Sequence, residues 1–158
     1  GRLAELASRA GCEYLDGARP WTLAVDVAAP CATQNELDVD DARALVEHGV
    51  RVVAEGANMP ATEEAIATFR AAGVAFGPAK ACNAGGVAVS GLEQSQNAVG
   101  LSFGAEEIDR RLREIMASIH AQCVEHGGTL DGRPDYLTGA NRAAFDKVAS
   151  AMLALGLV

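Results

Sequence analysis

The chain has no CxxC pair, hence no paired-cysteine zinc-ligand set, and no apolar run approaching the roughly 18 residues that span a bilayer. It also has no GxGxxG or GxxxxGK[ST] stretch. These absences exclude a structural zinc site or redox dithiol, a membrane helix, and a self-contained phosphate-binding loop. Positive charge is scarce as well: 13 basic residues stand against 21 acidic ones, for a net charge of -8, and the lysines are Lys80 and Lys147. The densest basic group, Arg110, Arg111 and Arg113, alternates with acids at helical spacing, as a solvated face does, so a basic nucleic-acid surface is not expected. Cys12, Cys31, Cys82 and Cys123 are widely spaced, and no signal-peptide pattern precedes them. Reduced, buried or half-buried thiols in a cytoplasmic protein are the expectation. The opening stretch GRLAELASRAG reads as a helix with neither an initiator Met nor an N-cap, as in a chain that begins partway through something larger.

The remainder is patterned for one α/β domain with a real core, 158 residues in all. Residues 20–30, PWTLAVDVAAP, read as a mostly buried strand ending near Pro30. Asp38 then begins a helix with Val39, Ala42, Leu45 and Val46 on one face, acids in its first turn and Gly49 beyond its end, and the strand RVVAEGA follows. The same unit recurs, with Thr62 as cap, Ile66 and Phe69 turned inward, Gly73 as terminator and VAFGP as a short strand. Two such units in succession predict βαβαβ, a partial Rossmann-like parallel sheet with right-handed crossovers. From Gly85 onward the pattern is helical. Residues 105–126 carry Ile108, Leu112, Ile115, Met116, Ile119 and Cys123 inward, with Glu106/Arg110, Glu107/Arg111 and Asp109/Arg113 as i,i+4 pairs outside. Residues 127–137 read as a surface loop, and residues 139–155 as a last helix with Phe145, Val148, Met152 and Leu153 on one stripe.

Ligands of an open parallel sheet bind beyond the carboxyl ends of its strands. The segments expected there are PCATQNE (30–36), EGANMP (55–60) and KACNAGG (80–86), whose charges are Glu36, Glu55 and Lys80. Thr33, Gln34, Asn58 and Asn83 offer uncharged hydrogen bonds, suited to an amide, a ribose or a carbonyl rather than a metal or phosphate. Each segment taken singly also reads as an ordinary turn that caps the following helix. With a helix starting near Asn83, that residue shares a face with Val87, Ser90, Gln94 and Asn97, and free N–H groups of the first turn point at the strand edge. Gly85 and Gly86 read either as room for a flat ligand or as room for close packing. His48 and His126 fall at helix C-termini and His120 on a helix flank, with no Ser, Cys or acid placed to complete a catalytic pair.

Taken together, PCATQNELD, VAEGANMP, NAGGVAVSGLEQSQN and TGANRAAFDKVASAML, with PWTLAVDVAAP ahead of them, resemble the C-terminal part of hexameric-type glutamate dehydrogenase, most closely the bacterial NADP-linked type. The resemblance runs over essentially the whole chain. It implies reversible oxidative deamination of L-glutamate to 2-oxoglutarate and ammonia, with NADP as cofactor and NAD not excluded. Ser90 would bind the distal carboxylate of glutamate, and Val87 would line that pocket. Asn58 and Asn83 would hold the nicotinamide end of the cofactor, with Ala32 and Thr33 nearby. Residues 1–80 would be the latter part of the dinucleotide-binding domain, and residues 81–158 would close the cleft, the last helix packing back toward a substrate domain. That substrate domain, the glycine-rich loop and the catalytic Lys and Asp would lie outside this chain, which would be inactive alone. A homo-oligomer, a hexamer at full length, is the implied assembly. Two alternatives remain open: a related branched-chain or aromatic amino acid dehydrogenase, and a non-catalytic ligand- or partner-binding module.

Overall fold

The computed structural model describes residues 3–156; the ends of the sequence-predicted terminal segments, residues 1–2 and 157–158, lie outside the described residues. Helix α1 spans Leu3–Ala10 and has no buried residue. Strand β1 is Val27–Ala28, helix α2 Val39–Glu47, strand β2 Val52–Ala54, helix α3 Glu63–Ala71 and strand β3 Ala75–Gly77. The three strands are parallel in the order β1-β2-β3, with Val27 opposite Val52 and Val53 opposite Phe76. This is the expected βαβαβ arrangement.

Local chemistry explains why the helices begin where they do. The Asp38 carboxylate accepts from the N–H groups of Asp40 and Asp41, while the Asp41 carboxylate accepts from the N–H of Asp38, a reciprocal capping box. Thr62 Oγ1 accepts from the N–H of Ala65 at 3.3 Å. Gly49 and Gly73, just past the two helices, take the left-handed conformation with φ of 86° and 72°. Leu45, Val53, Phe69 and Phe76 then bury one face of the sheet under α2 and α3, with Phe69 and Phe76 stacked at 6.2 Å.

The strand expected over residues 20–30 is confined to Val27–Ala28. Pro20–Thr22 forms a 3-10 turn that buries Trp21. Arg19, just before it, donates to Asp38 at 2.9 Å and pairs with Asp41 at 2.7 Å, so this segment is anchored to the start of α2 rather than to the sheet.

After β3, the short helix α4 (Ala79–Cys82) leads into α5 (Ala84–Val99), α6 (Ala105–Gly127) and α7 (Tyr136–Leu155). The loop expected over residues 127–137 is a two-stranded hairpin, β4 (Thr129–Leu130) antiparallel to β5 (Arg133–Pro134). Asp131 and Gly132 both have positive φ, 50° and 77°, as a two-residue hairpin turn demands. Arg133 donates to the Gly73 carbonyl and pins the hairpin to the end of α3. Helix α7 begins three residues earlier than periodicity indicates because Asp135 caps it, accepting from the N–H of Thr138 at 3.1 Å and from its hydroxyl at 2.7 Å. On α6, Glu107 takes both Arg110 and Arg111, Arg110 reaches Glu114 in place of Glu106, and Arg111 lies over the Phe103 ring at 4.5 Å. That basic face is therefore partly engaged by packing. No described helix is long and apolar enough to cross a membrane.

Asp135 also pairs with Arg70 of α3 at 2.6 Å, joining the sheet layer to the C-terminal helices. Burial pushes its carboxyl up, but the Thr138 bonds and the Arg70 charge outweigh that and hold it below the ordinary value of 3.8. The resulting stabilisation is present above that ordinary value and is lost as pH falls through the lowered one. Asp135→Ala is expected to cost about 1–3 kcal/mol at neutral pH. In urea melts the gap between variant and parent should narrow in acid; a gap independent of pH would count against the charge contribution.

Candidate functional site

The segments after β1, β2 and β3 lie side by side at the carboxyl edge of the sheet and are joined by hydrogen bonds. The N–H groups of Gly56 and Ala57 both donate to the Pro30 carbonyl, at 2.9 and 3.1 Å. Asn35 N–H donates to the Met59 carbonyl and Leu37 N–H to the Pro60 carbonyl, each at 2.9 Å, and Leu37 and Ala61 form an extra parallel bridge. Asn35 and Met59 have φ of 55° and 51°, so both turns hold left-handed residues that sequence reading did not single out.

Asn83 and Asn58, 25 positions apart in sequence, meet at this edge. Asn83 Nδ2 donates to Asn58 Oδ1 at 2.7 Å and to the Ala57 carbonyl at 3.1 Å. Asn58 Nδ2 and Asn83 Oδ1 have no partner among the described residues. The pair thus leaves one amide donor and one amide acceptor for a third group. Ala32 and Thr33 are exposed on the neighbouring segment, where Ala32 N–H donates to Glu36 at 2.8 Å. Gln34 is exposed beside them.

Asn83 is not the free start of a helix. The chain is already helical from Ala79, the Asn83 side chain makes no cap bond, and Gly86 N–H is bonded to the Asn83 carbonyl. The expected row of free N–H groups is therefore reduced, and the open hydrogen-bonding capacity there is that of the side-chain amides. Helix α5 carries Val87, 73% exposed, and Ser90, also exposed, on toward the open side. At 1.5 Å per residue, Ser90 sits about 10 Å along the helix from Asn83.

The two glycines divide the two readings between them. A Cβ at Gly85 would meet Leu112 at 3.2 Å and Met116 at 3.4 Å, so Gly85 permits α6 to pack closely. A Cβ at Gly86 would meet nothing within 4 Å, so Gly86 leaves open surface next to the amide pair.

Glu55, noted in the sequence only as a charge, proves central. It is 3% exposed; its Oε1 accepts from the N–H of Ala61 at 3.2 Å and its Oε2 from the N–H of Ala79 at 2.7 Å. Burial pushes its carboxyl up, opposed by those two bonds. An acid placed directly after an apolar strand was the available signal.

The remaining titratable candidates are structural. His48 Nδ1 lies 2.7 Å from the Ala44 carbonyl at the end of α2, His126 pairs with Asp146 at 3.1 Å, and His120 contacts the Tyr136 hydroxyl at 3.2 Å. Lys80 is turned to Asn141 of α7 at 2.5 Å. Cys82 is half-buried and Cys123 buried as expected, and burial pushes both thiols up; Cys12 and Cys31 are exposed, because α1 buries nothing and Cys31 starts an exposed loop. An apolar cavity of about 340 Å³ between Val52, Ala75, Met116, Ile119 and Tyr136 is bordered by Ala81 and Cys82 of the segment after β3 but by none of Thr33, Gln34, Asn58, Asn83, Val87 and Ser90.

The family model for Glutamate/Leucine/Phenylalanine/Valine dehydrogenase matches residues 1–156. The chain belongs to this family. It is 58% identical to the NADP-specific glutamate dehydrogenase of Escherichia coli K12 over 158 residues, which is 100% of this chain and 35% of that protein. It is 50% identical to the NAD(P)-specific glutamate dehydrogenase of Xylanibacter ruminicola over 157 residues, 99% of this chain and 35% of that one. Among solved structures, the glutamate dehydrogenase of Plasmodium falciparum superposes with a TM-score of 0.93 at 40% identity, covering 100% of this chain and 34% of its own. The chain thus spans about a third of the length of the relatives it matches.

Proposed function

We propose that this chain is the C-terminal segment of an NADP-dependent glutamate dehydrogenase, which interconverts L-glutamate with 2-oxoglutarate and ammonia. In this reading residues 1–80 are the latter part of the dinucleotide-binding domain and residues 81–158 close the cleft. The observation that carries it is the Asn58–Asn83 pair, bonded at 2.7 Å on the carboxyl edge of a parallel sheet, with a donor and an acceptor to spare. A primary carboxamide such as that of nicotinamide needs one of each, and Gly86 leaves its ring a surface free of side chain. The residues therefore fit the group.

When bound, the nicotinamide supplies the hydride acceptor or donor. The work of this chain's own residues is orientation. Asn58 Nδ2 would donate to the carboxamide oxygen, and Asn83 Oδ1 would accept from its nitrogen. Ala32 and Thr33 border the same end. Ser90 donates its hydroxyl to the distal carboxylate of glutamate, while Val87 shields that contact from water. NADP is favoured by the likeness to the Escherichia coli enzyme, and use of NAD is compatible with the NAD(P)-specific relative. A cytoplasmic homo-oligomer, hexameric at full length, completes the reading, with the exposed stripe of Phe145, Val148, Met152 and Leu153 covered by the substrate domain.

Within the family, Ser90 favours glutamate over leucine, valine or phenylalanine, because a hydroxyl at the distal end of the substrate suits a carboxylate and is left unpaired by an alkyl or aryl group. In the full-length protein, NADP reduction by glutamate should exceed that by leucine, and Ser90→Val should lower kcat/KM for glutamate about 10- to 100-fold. Equal kinetics of parent and variant on glutamate would remove Ser90 from the site. Greater turnover of leucine by the parent would favour the branched-chain reading.

A further inference from the structure

We propose that Glu55 is a positioning residue that sets the Asn58–Asn83 pair by tying the segments after β2 and β3 to one buried carboxylate. This rests on the function proposed above. Each oxygen has its own N–H donor: Ala61, three residues beyond Asn58, and Ala79, four residues before Asn83. The Glu55 N–H donates to the Gly77 carbonyl at 3.0 Å, so its backbone is fixed to β3 as well. The link from Asn83 back to Asn58 and Ala57 then closes a ring of hydrogen bonds that passes through Glu55 and both amides.

Only a carboxylate completes that ring. A glutamine would turn an NH2 group toward one of the two N–H donors and leave that donor buried and unpaired. An aspartate is one methylene too short to span both. No ion pair among the described residues involves Glu55, so the desolvation of its charge is offset by two backbone N–H groups alone. The Glu55 charge reaches the Cys82 thiol, which burial first and that charge second push up. The carboxylate holds two loops in register where their tips present the amides.

The test uses the full-length protein and reads NADPH dissociation constants by fluorescence titration alongside thermal melts. Glu55→Gln and Glu55→Asp are expected to weaken NADPH binding about tenfold or more. Leu45→Ala, a buried truncation on α2, is expected to lower the melting temperature but to stay within about threefold of the parent in NADPH binding. If Glu55→Gln does not fold, Glu55→Asp, which keeps the charge and one N–H bond, carries the comparison. Glu55 variants that bind NADPH as the parent does, or no more weakly than Leu45→Ala, would overturn the positioning role. A parent that binds no NADPH would instead overturn the function on which the proposal rests.

Discussion

Gly139→Ala is expected to separate α6 from α7 and to destabilise the protein by about 3 kcal/mol or more. Gly139 is buried in the first turns of α7, and a Cβ built on it runs into the carbonyl oxygen of Cys123, with the Cys123 carbonyl carbon at 2.7 Å and its Cα at 2.9 Å. Gly127 faces the same crossing, where its Cβ would meet the Asp135 carbonyl and sit 3.2 Å from the Gly139 Cα. These obstacles are backbone atoms, so no rotamer change relieves the collision; the helices must move apart. Elsewhere in a helix interior, Gly→Ala gains about 1 kcal/mol from propensity, which makes the direction of the effect diagnostic. Gly86→Ala, which meets nothing within 4 Å, is the natural control and should leave stability equal or slightly higher. A chemical-denaturation midpoint for Gly139→Ala equal to that of the parent would show that α6 and α7 do not cross as described.

Periodicity and caps made the βαβαβ half of the fold legible, because Asp38, Thr62, Gly49 and Gly73 act within a few residues of themselves. What escaped depends on contacts between distant positions. The Arg19 bridge to Asp38 and Asp41, and the burial of Trp21, shorten the first strand, and neither shows in alternation over residues 20–30. The hairpin carried a local signal, Asp131-Gly132, but a single dipeptide between polar residues reads equally as loop. The start of α7 was obscured by Gly139, a poor helix former kept for the crossing rather than for the helix. At the edge of the sheet, residue types were legible and their assembly was not. Amides in three successive segments announced uncharged recognition, whereas the Asn58–Asn83 contact and the two bonds of Glu55 join positions from 6 to 25 residues apart.

The isolated chain is expected to show no NADPH-dependent turnover with 2-oxoglutarate and ammonium, even if it binds NADPH. Reductive amination moves a proton as well as a hydride, and proton transfer needs a group of suitable pKa within hydrogen-bond reach of the reacting atoms. The side chains at this edge, Thr33, Gln34, Asn58, Asn83 and Ser90, do not titrate near neutral pH. The nearby charged groups are otherwise engaged: Glu36 with the Ala32 N–H, Glu55 with Ala61 and Ala79, and Lys80 with Asn141. The histidines are held by Ala44, Tyr136 and Asp146 on the helices. Substrate contact is one-sided as well, since Val87 stands 73% exposed with no facing wall among the described residues. Orientation of cofactor and substrate contributes to rate only when the reacting partners are held together. Following NADPH absorbance over the purified chain should therefore give the uncatalysed rate, while the full-length protein under the same conditions turns over. Catalysis by the isolated chain would mean that one of the side chains assigned here to packing or orientation moves the proton.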